Sequence, residues 1–344
     1  NVIIAGVGSE ILDINDGSNL VFGDEGRATW NAGQLTVVES LNPDVAGNDT
    51  LNASAGINIL VGGSGRDIIA TGSDFVTSDD VQIVETGKTV RLSSDYDSAL
   101  GKPNSAYKYL GLIAITIDLS TAYKAPLWQE VEESVIAFGD NAKATFINGR
   151  LASMESTFVG QGDVDTITLG SGNNVAIGGA AGDQITALAG TNTILGDEGE
   201  ASFFADGTLR LIQSANDPNT SGDNDTITLS DGINNVIAGL GDDIINVGDG
   251  TNFVFGDEGQ LEVLTDSSGQ PTGTTEILSL NGSVGGTDTI TVGSGYNVIG
   301  GGANTDTITV NGTTADARGI VLGDNGKITL DTSTGVLRKI ESID

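Results

Sequence analysis

Two residue types are missing altogether. The 344-residue chain has no cysteine and no histidine, which removes disulfides, zinc thiolate sites, thiol nucleophiles, and the commonest general base and transition-metal ligand. Basic residues are scarce: 14 Lys and Arg stand against 47 Asp and Glu, a formal net charge of -33. Nucleic acid and anionic bilayers would repel such a chain before contact, so neither is expected as a partner, whereas cations are. No apolar run approaches the roughly 20 residues that span a bilayer, and no signal-peptide pattern opens the sequence. Membrane insertion is therefore not expected, and any export signal is expected outside this sequence.

What is present is periodic. Acidity alone often signals disorder, but 38% of the residues are hydrophobic and recur at fixed intervals, so the chain is expected to fold. Fifty-one glycines against five prolines direct attention to repeats. Asn-Val or a variant recurs at Asn1, Asn58, Asn174, Asn235 and Asn297, at intervals of 57, 116, 61 and 62 residues. The long interval holds an insertion at about 75–134. About five units result: 1–57, 58–173 with the insertion, 174–234, 235–296 and a truncated 297–344. The series starts and stops in mid-unit, at Asn1 and Asp344, as expected of a stretch of a longer array.

A finer ruler lies inside the units. An Asp is followed by another 18 residues later in the pairs Asp49 and Asp67, Asp165 and Asp183, Asp225 and Asp243, and Asp288 and Asp306. Nine residues after the first of each pair stands Asn58, Asn174, Asn234 or Asn297; Asn192 and Asn252 follow the second Asp, and Asn19 follows Glu10, at the same interval. Short apolar stretches such as Ile167 to Leu169 and Phe253 to Phe255 sit between these positions, flanked by Gly and Asn, and read as short strands alternating with tight turns. Two strand-plus-turn steps of nine residues make an 18-residue coil, so the expected fold is all-β, a parallel β-roll or β-solenoid, with glycine supplying positive φ at the turns. Residues 18 apart then lie about 4.8 Å apart on adjacent coils. One rim stacks Asp on Asp and the other Asn on Asn. The asparagines suit amide ladders and left-handed turns. The carboxylates repel one another and call for a cation.

A further Asp lies in a Gly-Asp-x-Gly turn 14 residues beyond the second acid at Asp24, Asp197 and Asp257, with Asp324 delayed by four residues and Asp140 in the same slot of the inserted unit. Two roles suit these residues: a turn former bonding its own backbone, or a metal ligand. After each such turn the texture alternates polar and apolar around a turn signal, as in Arg27 to Val38 around Ala32-Gly33, Ala144 to Ala152 around Asn148-Gly149, Ala201 to Ile212 around Asp206-Gly207, and Lys327 to Ile340. These stretches predict β-hairpins leaving the roll, either capping it or offering lateral surfaces to other chains or glycans.

Gly62-Gly63-Ser64-Gly65-Arg66-Asp67-Ile68 and Ala238-Gly239-Leu240-Gly241-Asp242-Asp243-Ile244 match the G-G-x-G-x-D-x-U nonapeptide, U being a large apolar residue. Here the sequence resembles the RTX family of secreted calcium-binding β-rolls, embedded in a giant bacterial surface or adhesin protein. The resemblance implies Ca²⁺ held between successive turns by Asp carboxylates and turn carbonyls, best matched at Asp67 and Asp243 and more loosely at Asp183 and Asp306. Asp183 sits in Gly-Gly-Ala-Ala-Gly-Asp with one glycine displaced, Glu10 replaces Asp in the first unit, and only about two coils precede each interruption. The inserted segment, with most of the lysine and tyrosine, is similar to a short β module of giant bacterial surface proteins. Its Tyr96, Tyr107, Tyr109, Tyr123 and Trp128 suit a small core or a sugar-stacking platform.

The function expected is an extracellular, calcium-binding structural segment: a stiff spacer, filament or adhesin stalk at the cell surface, not an enzyme. Its partners would be calcium, further copies of itself head-to-tail or laterally, or cell-surface glycans. A solenoid polysaccharide lyase or epimerase would need one acidic cluster unlike the others, and the acids are evenly distributed. Ice binding would use the Thr-x-Thr strands at Thr166 and Thr168, Thr226 and Thr228, Thr289 and Thr291, and Thr307 and Thr309, but requires such pairs on consecutive coils.

Overall fold

A computed structural model describes residues 1–15, 17–215, 222–312 and 318–343, and among these there are strands and turns but no helix. The strands have two textures. Runs such as Gly56–Val61 (GINILV) and Gly250–Phe255 (GTNFVF) are apolar on consecutive residues, whereas Thr226–Leu229 (TITL) and Thr289–Val292 (TITV) alternate. Consecutive apolar residues suit a strand buried on both faces; alternation suits a strand with one wet face.

The three large sheets follow that division. Ten parallel strands, from Val2–Ile4 through Gly17–Phe22 and Gly56–Val61 to Arg318–Leu322, form a central sheet. Nine parallel strands, from Ile11–Ile14 to Thr307–Val310, form an outer sheet on one side of it. Between these two sheets lies a dry core whose column Leu51, Ile69, Ile167, Ile185, Ile227, Ile245 and Ile290 is in register from coil to coil. Each such side chain stabilises by about 1.5–3 kcal/mol relative to exposure.

The hairpins do not cap the roll. They pair edge to edge into a ten-stranded antiparallel sheet over the far face of the central sheet, with a second core of Phe22, Phe138 and Phe255 against Val38, Ala144, Met154 and Ile277. The molecule is thus three-layered. A serine ends each of the first four hairpins and accepts a hydrogen bond from the first residues of the next: Ser40 from Ala142, Ser156 from Gly199, Ser214 from Gly259 and Ser279 from Gly326, at 3.0–3.1 Å. Asn148-Gly149 and Ala32-Gly33 turn the chain with positive φ at both residues, the geometry that two-residue hairpin loops prefer.

Coils of two kinds alternate. A tight coil passes from central to outer sheet through a glycine turn, as at residues 62–67; the next coil makes the same passage through Gly-Asp, a hairpin and a return loop, as from Gly139 to Asp165. Adjacent-coil partners on this rim are therefore 18 residues apart across one junction and 39 to 45 across the next, and 98 where the insertion intervenes.

On the opposite rim Asn1 and Asn19, Asn19 and Asn58, and then Asn174, Asn192, Asn234, Asn252 and Asn297 are linked by Nδ2 donating to the next Oδ1 at 2.7–2.9 Å. Val135 stands between Asn58 and Asn174 in the register and breaks this ladder, leaving the buried Asn174 Oδ1 without a partner. The insertion leaves the roll at this point. It folds into a four-stranded and a two-stranded sheet around Tyr107, Tyr109, Tyr123 and Trp128, whose rings pack at centroid distances of 4.6–5.4 Å. These four aromatics are buried core, with Tyr96 packed against them, so they offer no sugar-stacking platform. A buried Arg91 to Glu133 ion pair joins the module to the roll.

The Thr-x-Thr strands face solvent on the outer sheet, but Gln184 with Thr186 and Ile244 with Asn246 intervene, so only Thr289 and Thr291 stand beside a second such pair, Thr307 and Thr309. This arrangement does not favour ice binding.

The displaced glycine of the Asp183 turn has a conformational consequence. Gly65 and Gly241 take φ of +118° and +126°, and the equivalent Ala181 is forced to +71°. A left-handed alanine costs roughly 1–2 kcal/mol, and glycine gives back part of the relief as unfolded-state entropy. Ala181→Gly is expected to stabilise by about 0.5–1 kcal/mol, read as a higher Tm in saturating calcium; an unchanged or lower Tm would contradict the strain.

Candidate metal centre

The rim where central strands pass to outer strands gathers the acidic residues. Parallel stacking puts the last residue of each turn directly over its counterpart, so Asp49, Asp67, Asp165, Asp183, Asp225, Asp243, Asp288 and Asp306 form one column, headed by Glu10. In every case Oδ1 accepts the backbone N–H of the preceding acid in the column, at 2.6–3.0 Å. The column runs unbroken past the hairpins and the insertion, although the two-coil spacing of the sequence suggested short stacks.

The other oxygen has no such partner. All eight Oδ2 atoms are buried without a hydrogen bond. An isolated orphan of this kind costs about 1–3 kcal/mol, more when charged; eight in register point to a common missing partner. Glycines show where that partner fits. A Cβ on Gly62 would fall 2.3 Å from both Asp67 Oδ2 and the Gly139 carbonyl oxygen, and one on Gly178 would fall 2.3 Å from both Asp183 Oδ2 and Gly196 O. The same pairing recurs for Asp49 with Gly62 O, Asp165 with Gly178 O, Asp225 with Ala238 O, Asp288 with Gly301 O and Asp306 with Gly323 O. Seven of the eight junctions thus bring a carboxylate oxygen and a turn carbonyl of the next coil to a glycine that leaves room for no side chain; at Asp243 the equivalent position is Ala238.

Burial and neighbouring carboxylates push these groups up: Asp67 and Asp243 to about 9, and Asp165 and Asp183 in the same direction. For Asp225, at about 8, and Asp288, at about 7, burial is again the largest cause.

The Gly-Asp-x-Gly aspartates stand beside the column. Asp24, Asp140, Asp197 and Asp257 occupy the position of the second turn glycine, stacking on Gly63, Gly179, Gly239 and Gly302 of the next tight coil. Each Oδ2 accepts a backbone N–H from that coil, Ser64 at 2.9 Å, Ala180 at 2.7 Å and Leu240 at 2.6 Å, with Ala303 serving Asp257. Burial raises Asp24 and Asp257 to about 7 and Asp140 and Asp197 to about 10. Asp324 holds the same slot in the last coil but is exposed. Sequence reasoning passed over the residue that follows: Glu198 and Glu258 are buried at 4% exposure, and Gly-Asp-Glu-Gly occurs verbatim at residues 23–26, 196–199 and 256–259.

Among the described residues no three acidic side chains converge on one point. At most two carboxylates therefore meet at a junction, and turn carbonyls are the other oxygen donors beside them. An all-oxygen donor set in a chain without His or Cys suits a hard cation such as Ca²⁺, which accepts 6–8 oxygens in irregular geometry. The orphaned Oδ2 atoms and glycine cradles fit that ion, which would cancel column charge and tie each coil to the next.

A raised folded-state pKa means that, without metal, the column's stability contribution is complete below the ordinary carboxylate value of 3.8 and is lost as pH rises through about 7 to 9. In chelator, Tm is expected to fall between pH 5 and pH 9. In millimolar calcium the trend should reverse, because the ion binds the deprotonated form. Parallel trends in thermal melts with and without calcium would contradict this assignment.

Comparison with known families agrees with the geometry. The RTX calcium-binding nonapeptide repeat matches in four copies, at residues 45–75, 168–200, 228–260 and 283–312, each containing one or two column aspartates. No curated protein and no solved structure matches the chain. The copies fall on successive stretches of the roll, and the chain is thereby identified as a bearer of RTX calcium-binding nonapeptide repeats, folded as a β-roll.

Proposed function

We propose that the chain is an extracellular, calcium-stiffened spacer, a stalk segment of a surface or adhesin protein. One observation supports this above all: a buried, unpartnered carboxylate oxygen recurs at successive coil junctions, including the one that spans 98 residues of sequence. An ion at each junction would act as a rivet between coils that are otherwise joined by main-chain hydrogen bonds and the apolar cores. The ten-stranded central sheet extends about 43 Å along the coil axis at the usual strand spacing, so one chain supplies a short rod. Among the described residues no helix is long and apolar enough to cross a membrane. The aspartates of the column are the proposed ligands, with calcium the partner that the repeats specify.

Two outcomes test the reading. Asp243→Asn keeps an oxygen to accept the Asp225 N–H but removes one charge. It is expected to raise Tm in chelator at pH 8, where folding otherwise has to protonate this buried carboxyl, pushed up to about 9, and to lower it in calcium, where a ligand is lost. Calcium at 100 times its Kd stabilises by about 2.7 kcal/mol per site, so the loss in calcium should be of that order; the same sign in both conditions would count against the ligand role. Under load in a single-molecule pulling experiment, the calcium-bound chain should unfold at markedly higher force than in chelator, and equal forces would remove the mechanical role.

A further inference from the structure

The four buried hairpin-exit aspartates share a slot but not an environment. Asp257 is satisfied at both oxygens: its Oδ1 accepts Gly286 N–H at 2.7 Å and its Oδ2 accepts Ala303 N–H. Asp140 Oδ1 accepts the equivalent return-loop amide of Asp163 at 3.4 Å. Asp197 departs from this pattern. Its Oδ2 accepts Leu240 N–H at 2.6 Å, but its Oδ1 is buried without any hydrogen bond, on a residue only 6% exposed. Asp24 Oδ1 is likewise without a hydrogen bond, although Gly47 of its return loop lies against it.

Two glycines and a turn carbonyl border the Asp197 carboxylate. A Cβ on Gly222 would meet Asp197 Oδ2 at 2.1 Å and both the carbonyl oxygen and the Cβ of Leu240 at 2.4 Å, and one on Gly239 would meet Asp197 Oδ2 at 2.3 Å. The charges that act on Asp197 are the column carboxylates of Asp225 and Asp243, whose Oδ2 atoms are themselves orphaned, and the neighbouring Glu198. A turn-forming aspartate needs no unpartnered buried oxygen, as Asp257 shows.

We infer that Asp197 is a ligand of an additional divalent cation site, outside the nonapeptide motif, whereas Asp257 in the same slot is a turn lock that binds no ion. Hairpin coils therefore differ in chemistry: one kind bonds its return loop to the exit aspartate, and the other shares a cation between exit aspartate, turn carbonyl and column. The inference rests on the calcium reading of the column and adds to it a site that the repeat motif does not encode.

The test uses the full chain, calcium as the only added ligand, and two isosteric variants. Asparagine preserves the oxygen that accepts the Leu240 or Ala303 amide, so the turn survives and only the charge is removed. Native mass spectrometry and calorimetric titration should find one calcium fewer in Asp197→Asn and an unchanged count in Asp257→Asn. In the wild-type chain the Asp197 carboxyl ¹³C resonance should move on calcium addition while that of Asp257 stays, a readout that needs no variant to fold. Equal counts in the two variants, or a still Asp197 resonance while calcium binds elsewhere, would overturn the inference and leave the column intact. A wild-type chain that binds no calcium would overturn both.

Discussion

Like charges held at strand spacing are the constraint on which this structure turns. Two carboxylates about 4.8 Å apart repel by about 1 kcal/mol in water and about 3.5 kcal/mol at the effective dielectric of a protein surface, and here eight stand in one file. Parallel coiling makes the file unavoidable, because each turn repeats the last. It also aligns the glycines and carbonyls that let a cation in, so the geometry that creates the repulsion creates the site that relieves it.

The rest of the fold keeps that file straight. The dry isoleucine column between central and outer sheets fixes the register, since a slip of one residue would turn it to solvent. The asparagine ladder holds the opposite rim, and beside Val135, which interrupts it, the Arg91 to Glu133 ion pair ties the inserted module to the roll. The hairpin sheet adds a third layer that buries the second face of the central sheet. Its outward residues carry cross-strand ion pairs, among them Arg27 with Glu39, Lys143 with Glu155 and Lys327 with Glu276, so many of the few basic residues lie away from the acid rim.

Much of this was legible in the sequence because a solenoid is nearly one-dimensional. The 18-residue spacing from Asp225 to Asp243 and the nine-residue offset to Asn234 specify coil, rim and ladder without any knowledge of long-range contacts. The layering was not legible. Alternation in residues 199–212 announces a hairpin but not which neighbour it pairs with, and that choice depends on Ser214 and Gly259, 45 residues apart. Continuity of the column across the insertion was hidden for the same reason, since no local pattern links Asp67 to Asp165. The division among the exit aspartates was beyond sequence altogether, because Asp197 and Asp257 occur in the identical string Gly-Asp-Glu-Gly, yet Oδ1 accepts a backbone amide in Asp257 and none in Asp197.

Anomalous diffraction from calcium-saturated crystals of the chain addresses the central claim most directly. The account predicts a row of calcium peaks along one rim, each at about 2.3–2.6 Å from a column aspartate Oδ2 and repeating with the coil spacing. A folded roll in saturating calcium with no ions along that rim, or with ions scattered over other faces, would contradict it.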